Sequence, residues 1–70
     1  DLCVYGKDIL RIRYSNGLSR QKVCNYMNLK DYNYYPVKLL RYERQTKFSL
    51  PSQEMLLLLK AVGAGFRIIS

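Results

Sequence analysis

The sequence predicts an all-α fold: one compact domain of four to five short helices, with or without a short C-terminal β-strand. Three observations predict it. Apolar residues recur at helical spacing in four separate segments. The breaks between those segments fall on Gly, Pro and Asn. Finally, 70 residues make one domain, covering 1–70 and lying near the lower size limit for a core that holds without staples.

Each element has its own local justification. Tyr5, Ile9 and Ile12 share one helical face, Gly6-Lys7-Asp8 supplies a start, and Asn16-Gly17 supplies a stop, so the first helix is expected over Gly6 to Ser15. Gly17 permits a sharp turn, and Ser19 is an N-cap whose hydroxyl satisfies a free backbone N–H. Val23, Tyr26 and Met27 then mark a second helix over Arg20 to Met27, with Cys24 on its apolar side. Asn28 to Tyr35 shows no clear period and reads as a turn or loop.

Pro36 suits the first position of a third helix, which lacks a partner for that N–H in any case. Leu39, Leu40 and Tyr42 anchor it, and it should end near Arg44 or Gln45. Thr46 to Leu50 is expected to be a linking loop. Pro51-Ser52-Gln53-Glu54 opens a fourth helix reaching Val62, stopped by Gly63 and Gly65, and Phe66 to Ile69 has the character of a short strand. The fourth helix carries Met55 to Leu59 with no polar break. Leu56 and Leu59, with Met55 beside them, are expected to face the core. Leu57 or Leu58 should be left outside, as an interface would leave it.

Charge narrows the partner class. Twelve Lys plus Arg against five Asp plus Glu give a net charge of +7. Between Arg20 and Lys47, seven basic residues face only Asp31 and Glu43, so this segment holds +5 of the +7. A clustered positive field steers toward a polyanion, either nucleic acid or an anionic membrane. The longest apolar run, Met55 to Leu59, is too short to cross a bilayer, no signal-peptide pattern is present, and a compact multi-helix pattern argues against a surface-lying membrane binder. The opening on Asp1, without Met, fits either an excised domain or a trimmed chain.

With no His and only Cys3 and Cys24, no metal site and no cofactor are expected, and free thiols fit a reduced cytoplasmic setting. Isolated carboxylates, no Gly-rich phosphate loop and no nucleophile–base pair also argue against an enzyme.

A capped helix entered through a tight turn, then a second short basic helix, is the pattern of a helix-turn-helix over about 19–44. The order of motifs resembles the lambda-repressor-like, or Cro/XRE, family over about Gly6 to Gly63. Gly6 to Arg13 looks like the opening helix, and Gly17-Leu18-Ser19 like the start of helix two, with Cys24 at its usual small residue. Leu39 and Arg41-Tyr42-Glu43 resemble the end of the recognition helix. Pro51-Ser52, the Leu-rich run and Ala61-Val62-Gly63 resemble the closing helix. Two departures stand out. The chain is several residues longer between Leu29 and Glu43, where the Tyr-rich segment 31–35 lies, and slightly longer between Glu43 and Pro51.

The resemblance implies binding of double-stranded DNA by a homodimeric transcriptional repressor, bacterial or phage-encoded. It implies a structural ion pair between Arg13 and Glu43. Arg20 and Gln21, at a helix N-terminus suited to phosphate, would clamp the DNA backbone. Val37, Lys38, Leu40 and Arg41 would face base edges, while Arg44 and Lys47 would take phosphates. Tyr32, Tyr34 and Tyr35 suit either phosphate contact or core cover, with at least one of them packed. The dimer interface is expected from Leu57 or Leu58 with Phe66, Ile68 and Ile69, since a lone strand has unpaired edges. The alternative is a protein-interaction module on the same fold, such as an antitoxin or phage-type regulator, binding a partner protein through the Leu57/Leu58 surface or the Tyr-rich insertion.

Overall fold

A few capping residues set the helix boundaries. The computed structural model describes residues 1–63, and over these the order is β1 (Leu2–Tyr5), α1 (Gly6–Ser15), α2 (Arg20–Leu29), α3 (Pro36–Arg44), β2 (Lys47–Leu50) and α4 (Ser52–Val62). The expected strand over Phe66 to Ile69 lies outside the described residues. The first helix ends with Gly17 at φ +68°, and the N–H groups of Gly17 and Leu18 donate to the Tyr14 and Arg13 carbonyls. The second ends in the same motif, with Asp31 at φ +70° and the N–H groups of Asp31 and Tyr32 donating to Asn28 and Met27. That motif carries α2 two residues past its expected end at Met27, to Leu29. Ser19 Oγ caps α2 by accepting from the Lys22 N–H at 3.2 Å, and Pro36 opens α3.

The fold is mostly helical but not strictly all-α. Residues 47–50, expected as a linking loop, form β2, which pairs antiparallel with β1 in the register Leu2↔Leu50, Cys3↔Ser49, Val4↔Phe48 and Tyr5↔Lys47. The alternation of a pleated strand then turns Phe48 and Leu50 inward and Lys47 and Ser49 outward. Phe48 stacks on Tyr42 of α3, with ring centroids 4.7 Å apart and planes 1° from parallel. Two four-residue strands, far apart in sequence, carry too little local pattern to be recognised separately. Their pairing is a long-range event.

Ile9, Val23, Met27, Leu39, Met55, Leu58 and Val62 form the fully buried centre, where all four helices meet. On α4 the buried positions are Met55, Leu58, Ala61 and Val62. This corrects two expectations. Leu58, a candidate for the outside, is 0% exposed, whereas Leu56, expected in the core, is 56% exposed. Leu57 and Leu59 are half-buried. Five consecutive apolar residues have no period, so the rotation of α4 is decided by what it packs against, namely α2, α1 and β2.

Two small contacts lock the ends. Gly6 sits against the C-terminal carbonyls of α3 and donates its N–H to the Thr46 carbonyl at 3.3 Å. At the other end of α1, Asn16 Nδ2 donates to the Ile12 carbonyl at 2.8 Å and to the Val62 carbonyl at 3.0 Å, capping α1 and α4 together.

Candidate nucleic-acid interface

One buried carboxylate organises the three N-terminal helices. Glu43, on the inner side of α3, has a side chain 1% exposed. Its Oε2 accepts from Arg13 Nε of α1 at 2.8 Å, and its Oε1 accepts from Arg20 Nε of α2 at 2.9 Å. Arg13 also donates through Nη1 to the Leu18 carbonyl at 2.8 Å, in the turn between α1 and α2. The Arg13–Glu43 pair is the one the family resemblance implies. Arg20 as a second partner is not implied by it, and nothing local marks a contact across 23 residues. Arg20 is therefore anchored by Nε. Among the described residues its Nη groups make no hydrogen bond, which leaves the outer edge of the guanidinium for another acceptor.

With Glu43 inward, α3 turns Val37, Arg41 and Arg44 to solvent at i, i+4 and i+7, flanked by half-buried Leu40. No carboxylate pairs with Arg41 or Arg44 among the described residues. Such a ridge offers planar forks for hydrogen-bond acceptors and a small apolar contact between them. Lys38 is not presented with it. Its Nζ donates to the Asn33 carbonyl at 3.1 Å and lies 4.5 Å from the centroid of the Tyr34 ring, so the ammonium is held at the turn. Gln21 Nε2 donates to Asn25 Oδ1 at 2.8 Å along α2.

The enlarged turn is fastened rather than slack. Asn28 grips Tyr34 twice: Oδ1 accepts from its N–H at 2.6 Å and Nδ2 donates to its carbonyl at 2.9 Å. Tyr34 is buried, and its hydroxyl donates to Glu54 Oε2 at 2.5 Å. Tyr32 meets Tyr34 edge-on and is partly covered, while Tyr35 stays exposed. Of the three tyrosines, Tyr34 is thus the one committed to the core.

Burial, then the hydrogen bond to Glu54 and its negative charge, push the Tyr34 hydroxyl far above its usual range. Burial and the Glu54 charge also raise Tyr42, and burial raises the Cys24 thiol. A raised folded-state value means the unfolded chain ionises first, so this stability is present below the unfolded values and lost above them. Stability is expected to stay level through neutral pH and to fall beyond about pH 9–10. Tyr34→Phe should lower neutral stability by about 1–2 kcal/mol and soften the alkaline fall. Urea melts from pH 7 to 11 would read both effects, and unchanged midpoints across that range would contradict them.

Lys47 faces outward on β2, opposite Tyr5 in the register. Its Nζ lies 5.9 Å from the Tyr5 ring centroid, and Lys7 Nζ lies 6.0 Å from the same ring. Tyr5 and Lys7 were not among the expected site residues. Their sole sequence signal is proximity to each other, since the strand pairing brings Lys47 to them. Of the expected dimer residues, Leu58 is ruled out by its burial, Leu57 is half-buried, and Phe66, Ile68 and Ile69 lie outside the described residues. Among the described residues no helix is long and apolar enough to cross a membrane. Comparison with protein-family models, with curated proteins and with solved structures finds no match to this chain.

Proposed function

We propose that this chain is a sequence-specific domain for double-stranded DNA, of the lambda-repressor-like helix-turn-helix kind, with a non-catalytic role as a cytoplasmic transcriptional repressor. One observation carries the reading: Val37, Arg41 and Arg44 share the solvent face of α3, while Glu43 on its inner face holds that helix to Arg13 and Arg20. A helix so presented suits the major groove, where an Arg fork reads guanine and a small apolar side chain meets a thymine methyl. Arg41 and Val37 take those roles. Arg44, and Arg20 through its Nη groups, take backbone phosphates. A dimer on a two-fold operator would double these contacts, with exposed Leu56 and half-buried Leu57 available to the interface.

Fluorescence anisotropy against a randomised duplex pool, followed by sequencing of the retained DNA, tests the proposal. Affinity should fall with salt, with a log–log slope of about 0.9 per phosphate contacted. Arg41→Ala should cost about 1–3 kcal/mol on the selected site and much less on random duplex. No binding at low salt, or binding indifferent to salt, would remove the reading. The second reading, a protein-interaction module on the same scaffold, is favoured by Leu29. It is 82% exposed beside the enlarged turn and would suit an apolar partner surface.

A further inference from the structure

The antiparallel register places Tyr5 opposite Lys47, both directed away from the core. Lys7 rises from the first turn of α1 two residues later. Both ammonium groups lie about the same ring, at 6.0 and 5.9 Å from its centroid. Arg44 is the last residue of α3, and with Tyr5, Lys7, Gln45 and Thr46 it lines a cleft of about 280 Å³. Glu43 also borders this cleft, but both its oxygens are already taken by Arg13 and Arg20. The other side-chain ion pair among the described residues joins Arg11 to Asp8. Lys7 and Arg44 thus line the cleft, Lys47 stands by its Tyr5 wall, and among the described residues none of the three pairs with a carboxylate.

We propose that this cleft is a phosphate-binding site, occupied by a backbone phosphodiester when the chain binds duplex DNA. Three facts support it together. Cations without a carboxylate partner on one cleft give it a positive potential that favours an anion. The Tyr5 ring holds two of them by cation–π attraction, so less side-chain freedom is lost when the anion arrives. Arg44 belongs both to the exposed ridge of α3 and to the cleft, so a phosphate chain leaving that ridge at its C-terminal end meets the cleft next. The Arg44 fork matches two phosphate oxygens, and the Lys7 ammonium and the Tyr5 hydroxyl supply further donors. The occupancy by DNA rests on the functional reading above, whereas the phosphate site itself does not.

The test uses the full chain and two probes, a random-sequence duplex and inorganic tripolyphosphate. Lys7→Gln and Tyr5→Phe are the variants, and Lys60→Gln is the charge-matched control, since Lys60 lies near the α4 terminus that Asn16 ties to the far end of α1. Lys7→Gln is expected to lower the duplex salt slope by about 0.9, while Lys60→Gln leaves it unchanged. Tripolyphosphate is expected to shift the Tyr5 ring and Lys7 side-chain NMR signals, and Lys7→Gln to weaken that shift several-fold. Tyr5→Phe is expected to weaken it less, since the ring remains. Duplex binding with an unchanged slope in Lys7→Gln overturns the cleft and leaves the DNA reading standing. Tripolyphosphate binding at Tyr5 and Lys7 without any duplex binding upholds the cleft and removes the DNA reading. Failure of both probes overturns both, and so would a poly-glutamate peptide that perturbs the same signals more strongly than tripolyphosphate, for the phosphate assignment.

Discussion

Glu43→Ala is expected to cost about 4 kcal/mol, because it leaves the buried Arg13 guanidinium without its counter-charge. A domain of this size holds only about 3–5 kcal/mol in total, so the variant should be largely unfolded at room temperature. The loss comes from a stranded cation more than from a lost attraction, and this makes the effect asymmetric. Arg20→Ala keeps Glu43 paired with Arg13 but leaves Oε1 without its donor, and since the Arg20 side chain is 35% exposed the site can admit water, so it should cost about 1–2 kcal/mol. Glu43→Gln retains the shape and one acceptor oxygen and should fall between the two. Circular dichroism with urea melts would rank the three variants. A Glu43→Ala protein that melts with the parent, or an Arg20→Ala protein that loses as much, would mean the clamp is not what holds α3.

Gly6→Ala should be nearly as damaging, for a steric reason. A methyl group there would fall inside contact distance of the Gln45 and Tyr42 carbonyl oxygens and 2.8 Å from the Glu43 carbonyl oxygen. All three are backbone atoms at the end of α3, so no side chain can swing aside. The start of α1 must instead move away from α3, straining the β1–β2 pairing on one side and the Arg13–Glu43 bridge on the other. The expected cost is about 3 kcal/mol or more. Gly17→Ala is the informative comparison: its φ is +68° but nothing lies within 4 Å, so only conformational strain of about 1 kcal/mol applies. Equal losses at the two positions would show that α1 and α3 are not in close backbone contact. Backbone amide exchange in β1 would report the same event, with protection lost in Gly6→Ala and kept in Gly17→Ala.

The residues by themselves determined the helices. Gly17, Ser19 and Pro36 act on the backbone within a few residues of themselves, so the end of α1 and the starts of α2 and α3 follow from a glycine turn, a serine cap and the fixed φ of proline. The Arg13–Glu43 pair is implied by the family resemblance, not by local pattern, and it sets the inward face of α3. Tertiary structure decided everything that needed two distant segments at once. Strand β2 was invisible because four residues next to a loop carry almost no signal until β1 supplies hydrogen-bonding partners. The rotation of α4 was undecidable within Met55 to Leu59, since any side of an all-apolar run can be buried and α2 and β2 choose which. Arg20 joined Glu43, Lys38 folded onto Tyr34, and Lys47 reached the Tyr5 ring that Lys7 also approaches for the same reason. Capping and periodicity are short-range properties of the backbone. Charge pairing and strand pairing depend on distances through space, and these exist only once the chain has closed on itself.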